Sequence, residues 1–193
     1  MILPPSGRKE KPLSGKAAAW SVPPRIAVVG TSGSGKTTVA RTLAQHHGVP
    51  HVELDALHWG PNWSEPSAEE FRARVERALS PPGWVADGSY HGKLGDSVLD
   101  RADFIVWLDL PFRTVAGRIW SRTLRRIRTR EELWAGNRET WRDAFLSRDS
   151  LFVWIVRTHR GRRRRYLERL GRYEVVHLRS QGEIETWLAK HVS

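Results

Sequence analysis

The chain has 193 residues, of which 39% are apolar and 27% charged, with no cysteine and a formal charge of +11. These values fit one globular domain with room for a tail and are too apolar for a disordered chain; the missing cysteines exclude a disulfide scaffold, a cysteine-ligated zinc site, an iron–sulfur cluster and a thiol nucleophile. No apolar run approaches the ~18 residues of a membrane helix and no secretory leader is visible, so a cytoplasmic protein without a membrane partner is expected.

Residues 1–24 hold Pro4, Pro5, Pro12, Pro23 and Pro24 among scattered cations, without periodicity. They read as a disordered basic tail ahead of a domain at 25–193. Ile26-Ala27-Val28-Val29 is a buried-strand run ended by Gly30, and Lys36–His47 is a helix with Val39, Ala40, Leu43 and Ala44 on one face. Val49–Leu54 reads as a second strand. Ser67-Ala68-Glu69-Glu70 is a capping box that opens a helix with Phe71, Val75, Ala78 and Leu79 on its inner face. Pro81-Pro82-Gly83 stops that helix, Trp84–Ala86 is a third strand ending at Asp87, and Phe104–Leu108 is a fourth. A helix at about 111–128 starts on Pro111, with Val115, Ala116, Ile119, Trp120, Thr123, Leu124 and Ile127 as its apolar positions. Residues 129–148 are polar and carry no clear period. Leu151–Leu170 is helical, Glu174–Leu178 is a fifth strand, and Ser180-Gln181-Gly182-Glu183 caps the last helix. Short apolar strands alternating with helices predict an α/β fold, a five-stranded parallel sheet covered on both faces.

The strongest motif is Gly30-Thr31-Ser32-Gly33-Ser34-Gly35-Lys36-Thr37. It fits G-x-x-x-x-G-K-[ST] and lies between a strand and a helix, as a phosphate loop requires. The glycines let consecutive N–H groups point inward, and the helix that follows adds its positive end, which Thr38 shares. Lys36 supplies a charge for the β- and γ-phosphates, and the Thr37 hydroxyl is placed to hold Mg²⁺. The expected ligand is a nucleoside triphosphate, ATP with Mg²⁺. Absence of N-K-x-D argues against a regulatory GTPase and absence of L-S-G-G-Q against a transporter ATPase. The length argues against a two-domain motor, which leaves the small phosphoryl-transfer enzymes.

Parallel sheets bind ligands at the carboxyl ends of their strands. Asp87 at the end of the third strand is a metal-binding candidate, with a turn acid as the alternative. Asp55 is a candidate for orienting the acceptor or taking its proton, with an N-cap as the alternative. Period-two alternation would put Glu53 on the same side as Asp55, its role undecided. Asp109, in Asp-Leu-Pro before a helix, reads as a cap. His58 reads as a turn histidine, Trp59 and Trp63 as candidate walls of an acceptor pocket, and most other tryptophans as core. His46-His47 has no spaced partner for a metal.

Charge is concentrated. Residues 113–172 contain 18 arginines and 6 acids, while the remainder is nearly neutral. Arginine's planar fork fits phosphate oxygens, so a polyanionic partner is expected. Arg118, Arg122 and Arg125 fall at i, i+4 and i+7 on one helix stripe. Arg160 and Arg162–Arg165 form a second cluster, read first as a solvated face and second as a nucleic-acid contact.

In this order, the phosphate loop, Glu53-Leu54-Asp55-Ala56-Leu57-His58-Trp59, Asp87-Gly88-Ser89-Tyr90 and Trp107-Leu108-Asp109-Leu110-Pro111 resemble the adenylate-kinase-related small P-loop kinases. Within them, the likeness is to proteins labelled DNA topology modulation proteins. The resemblance implies a nucleoside-monophosphate-kinase-like fold, ATP and Mg²⁺, Asp87 as the acid near magnesium, and a lid at about 118–148. In that lid Arg118 and Arg122, with Arg138 and Arg142 beside them, would close over the phosphates. An arginine delivered to a transferring phosphoryl group is worth ~10³–10⁵ in rate. Adenylate kinases continue Asp-Gly with Phe-Pro-Arg, where Ser89-Tyr90-His91 stand here, so the arginine that grips AMP is missing from that place. Glu53 and Asp55 look more like the acceptor-side acids of shikimate- or gluconate-kinase-like enzymes.

The expected activity is ATP-dependent transfer of the γ-phosphate to a small-molecule or nucleotide acceptor. Lys36, Asp55, Arg118 and Arg122 are the expected catalytic residues. A nucleic-acid-binding protein that uses ATP as a switch is the alternative.

Overall fold

The alternation of side chains along β1 (Arg25–Gly30) decides the layering. Ile26 and Val28 point to one face of the sheet and Ala27 and Val29 to the other, and all four are fully buried. The structure is a computed structural model; it describes residues 22–138, 161 and 163–192. β2 (His51–Glu53), β3 (Trp84–Asp87), β4 (Phe104–Leu108) and β5 (Val175–Leu178) complete the sheet. The order is β2-β3-β1-β4-β5, with every pair parallel. The phosphate loop therefore leaves the central strand, with β3 on one side and β4 on the other.

α1 (Lys36–His47), α6 (Phe112–Thr129) and α8 (Gln181–His191) cover one face, where Val39, Leu43, Val115, Ile119 and Ile184 pack on Ile26, Val28, Val106 and Leu178. α3 (Ala68–Ala78), α5 (Ser97–Arg101) and a helix at 163–170, α7, cover the other. There Phe71, Val75, Val98, Leu99 and Leu170 meet Ala27, Val29, Ile105 and Trp107. Each large apolar side chain so buried contributes roughly 1.5–3 kcal/mol. The expected buried stripe of α1, Val39, Ala40, Leu43 and Ala44, is the one observed. The Ser67 and Ser180 side chains cap α3 and α8 by accepting from Glu70 N–H and Glu183 N–H.

Four expectations need correction. The second strand ends at Glu53 rather than Leu54, because β3 ends opposite it and offers no further partner. Leu54–His58 instead closes a short helix, α2, with Trp59 N–H donating to the Asp55 carbonyl at 3.0 Å. Asp55 is thus on a helix, neither alternating with Glu53 along a strand nor at the N-cap position, which Glu53 holds. Trp120, assigned to the inner face of α6, is 45% exposed; the buried stripe is Val115, Ile119 and Thr123 at spacing four, and residue 120 is one step round. Asp109 does not cap α6, whose N-cap position is Pro111. It accepts hydrogen bonds from Arg163 Nε at 2.9 Å and His177 Nε2 at 3.0 Å. His58 is buried, its ring packed with Trp59, Phe71 and Tyr90, and is no turn residue at the surface.

The expected tail falls almost wholly outside the described residues. Of its last residues, Pro24 is buried and its carbonyl accepts from Trp84 N–H at 3.0 Å. Residues 151–160 and 162 of the expected long helix, Arg142, and the 139–148 part of the expected lid also lie outside the described residues. No helix among the described residues is long and apolar enough to cross a membrane.

Candidate active site

The loop between β1 and α1 borders a cleft of about 2320 Å³. That is more than the ~300–1,000 Å³ of a pocket for one small ligand, so two substrates fit side by side. Gly33 has φ +78, and a Cβ there would lie 2.6 Å from Ile119 Cγ1, so both conformation and space require glycine. Gly35 is the N-cap residue of α1 with φ +93, and no side chain caps that helix end. The first amides of α1, those of Lys36, Thr37 and Thr38, have no intrahelical acceptor and lie at the cleft, the arrangement that binds anions.

Gly30, Ser32, Gly33, Ser34, Gly35, Lys36, Thr37 and Thr38 all border the cleft. Thr31 does not; it is buried, and its carbonyl accepts from Lys36 Nζ at 3.3 Å. Thr37 Oγ1 donates to Asp87 Oδ2 at 2.5 Å, which joins the first turn of α1 to the end of β3. Asp87 is 5% exposed, and its other oxygen, Oδ1, is buried without a hydrogen-bond partner among the described residues. The Thr37 hydroxyl and the Asp87 carboxylate, one of whose oxygens is buried and unsatisfied, form a hard-oxygen donor set, which fits Mg²⁺.

Two acids close to Asp87 in the fold, Glu53 and Asp55, border the cleft. Tyr90 OH donates to Asp55 Oδ1 at 2.5 Å. Burial and the Asp55 carboxylate push the Tyr90 phenol far above its ordinary value, so it stays a neutral donor. Glu53 is raised by burial, with Asp87 and Asp55 adding to the rise, while a hydrogen bond with Trp134 and the charge of Arg41 oppose it.

Arg118 Nη1 reaches the Ser34 carbonyl at 3.4 Å and its Nη2 donates to Gln181 Oε1 at 2.7 Å. The guanidinium thus lies against the phosphate loop. Arg122 and Arg125 border the cleft further along α6. Arg125 and Arg126 approach Glu131 at 3.5 and 3.6 Å. Arg138 is displaced from this group; it pairs with Glu132 at 3.7 Å and does not border the cleft.

Sequence reasoning missed Asn137. It is buried, and it ties two short turns, Pro61–Trp63 and Trp134–Gly136. Its Oδ1 accepts from Trp63 N–H at 2.9 Å, and its Nδ2 donates to the Gly60 and Trp134 carbonyls at 2.9 and 2.8 Å. Trp59, Trp63 and Trp134 thereby border the cleft beside Glu53 and Asp55. The partners lie 74 and 77 positions away, and nothing local in the sequence announces them.

Central-strand phosphate loop, parallel sheet and strand-end acid together define a P-loop NTPase of α/β architecture. A family profile for ATPases associated with various cellular activities (AAA) matches residues 26–83. Cytidylate kinase of Pyrococcus abyssi is 31% identical over 108 residues, 50% of this chain and 60% of the relative, so the chain spans only part of the length of the curated relatives it matches. A shikimate kinase from Acinetobacter baumannii in complex with shikimate superposes with a TM-score of 0.51 at 18% identity, over 87% of this chain and 90% of the other. A deoxyadenosine kinase from M. mycoides superposes at 0.53 and 12% identity, over 86% and 97%. At these identities the structural likeness establishes the fold.

Proposed function

We propose that the protein is an ATP-dependent kinase that moves the γ-phosphate of ATP to a small-molecule or nucleotide acceptor. The observation that carries this reading is the Thr37–Asp87 contact at the first turn of α1, beside a cleft that Lys36, Thr37 and Asp55 border. The kinase names of the partial relatives agree with it.

Phosphoryl transfer asks mainly for positioning and charge stabilisation. The amides of residues 33–38 bind the β-phosphate, and Lys36 leaves the Thr31 carbonyl to reach the β- and γ-oxygens. Thr37 and Asp87 would hold Mg²⁺, which would supply charge neutralisation to the triphosphate. Asp55 orients the acceptor and takes its proton. Arg118 and Arg122 counter the charge on the transferring group. A guanidinium about 4 Å from a phosphate oxygen gains roughly 4 kcal/mol at an effective dielectric near 20.

The finer likeness to DNA topology modulation proteins adds no separate activity to this reading, because three of the four segments that carry it border the cleft. The test is ADP formation with Mg-ATP across nucleoside monophosphates, nucleosides and sugar-type alcohols. Acceptor-dependent ADP release is expected, falling ~10²–10³-fold in Lys36→Ala with the fold unchanged by circular dichroism. No ADP release with any acceptor, or full turnover in Lys36→Ala, overturns the reading.

A further inference from the structure

The acceptor end of the cleft is walled by rings and floored by carboxylates. Trp59 and Trp63 stand edge to face, with centroids 5.5 Å apart and planes at 84°, and Tyr90 and Trp134 border the same space. Glu53 and Asp55 lie among them and present acceptor oxygens only when ionised. Among the described residues, the cations Lys93, Arg165 and Arg169 that border the cleft are engaged by Glu65 at 2.7 Å, by the Gly161 carbonyl at 3.3 Å and by Asp96. Arg41, exposed on α1, faces the charge of Glu53. An acceptor bearing a phosphate or carboxylate would therefore meet two carboxylates, whereas a hydroxyl donor is matched by them.

The backbone here is strained for a purpose. Asn62, Trp63, Tyr90 and Ala135 have φ of 55°, 57°, 41° and 56°, a left-handed region that Asn tolerates and that is costly for Trp, Tyr and Ala. Three of the four lie in or beside the turns that Asn137 clamps, and the fourth presents the hydroxyl that holds Asp55. Strain retained around ring walls and a catalytic carboxylate marks a preformed binding surface.

We infer that the acceptor is an uncharged alcohol with a stackable ring face, a nucleoside or a sugar-like polyol, seated against Trp59, Trp63 and Trp134 with its reacting hydroxyl on Asp55. The inference rests on the kinase reading. In the transfer, the acceptor hydroxyl oxygen forms the new bond to the γ-phosphorus and its proton passes to Asp55. The bond from the γ-phosphorus to the β–γ bridging oxygen breaks, and ADP leaves with the electron pair. Tyr90 holds Asp55 by Oδ1 throughout.

The experiment uses matched pairs: nucleosides against their 5′-monophosphates, and aldoses against their phosphates. Each is titrated calorimetrically and then assayed with Mg-ATP, with the product identified by mass. In at least one pair the neutral member should be bound and phosphorylated with kcat/KM tenfold or more above its phosphate. Trp63→Ala should raise the acceptor KM about tenfold and leave the ATP KM unchanged. Transfer to monophosphates alone would overturn this assignment while the kinase reading stood, and would point to Arg41. Binding of neutral members without transfer would support the pocket's chemistry and overturn the kinase reading. No binding of any neutral member overturns the inference.

Discussion

Asp87 connects the two halves of the chemistry. One oxygen accepts from Thr37 and the other is buried with no partner among the described residues. An unsatisfied buried acceptor is costly unless a ligand completes it. Asp87→Asn should therefore cost little in thermal stability but lower kcat by at least ~10²-fold, a loss that added Mg²⁺ does not restore. Steady-state rates over a Mg²⁺ titration check this, and wild-type kcat in the variant would remove Asp87 from the site. At this scale the sequence was readable where a role follows from neighbours in the chain. Lys36 and Thr37 were singled out from a motif and Asp87 from a strand end, and the structure brings Thr37 and Asp87 into contact. Asp55 was found as a residue but placed on a strand, because periodicity cannot tell where the partner strand stops. Tyr90 and Asn137 were not found, since each acts on residues far away in sequence.

Among the elements, the turns at 61–63 and 134–136 depend on one amide side chain. Asn137→Ala removes three hydrogen bonds and leaves the part-buried Trp63 N–H and Gly60 carbonyl without their partner, at up to about 1–3 kcal/mol for such a group. The expected result is a lower melting temperature and an acceptor KM raised at least fivefold with the ATP KM unchanged. Equal changes in both constants would show that the turns do not serve the acceptor end alone. Within the region expected to be a lid, α6 runs unbroken to Thr129 and residues 132–138 close a bridged turn. Helix and strand positions were legible because their apolar periods are strong; this turn was not, because it is polar and held from a distance.

The α2–α3 contact also carries a pH dependence. Burial lowers the His58 pKa, assisted by Lys93 and opposed by Glu65 and Asp55; His47 and His51 are lowered too, each mainly by burial. A histidine lowered in the folded state binds fewer protons there than in the unfolded chain. Its contribution is complete above the ordinary value near 6.5 and is lost as pH falls toward the lowered value. Glu53, raised on folding, acts in the opposite sense at lower pH. Melting temperature should thus fall from pH 7.5 to 5.5, and less steeply in His58→Phe. An identical slope in that variant would show that His58 does not titrate on unfolding.

Over the whole molecule, the described arginines divide between the cleft and surface ion pairs. Arg113, Arg118, Arg122, Arg125 and Arg126 border the cleft, while Arg163, Arg169 and Arg172 pair with Asp109 and Asp96. Under the proposed function, the arginines at the cleft serve a bound triphosphate. Duplex DNA binding should be weak and absent near 150 mM salt; tight binding with a steep salt slope would favour the nucleic-acid reading instead. The α/β class was legible from alternating elements, yet the strand order β2-β3-β1-β4-β5 was not, because a single sequence does not say which strands neighbour one another.

The most direct measurement is a crystal structure with Mg²⁺ and a non-hydrolysable ATP analogue. The account predicts the β-phosphate on the amides of residues 33–38, the metal at Thr37 Oγ1 and Asp87, and Asp55 facing the γ-phosphate across space for an acceptor. Phosphates bound away from that loop, or a metal without Asp87 in its coordination, would contradict it.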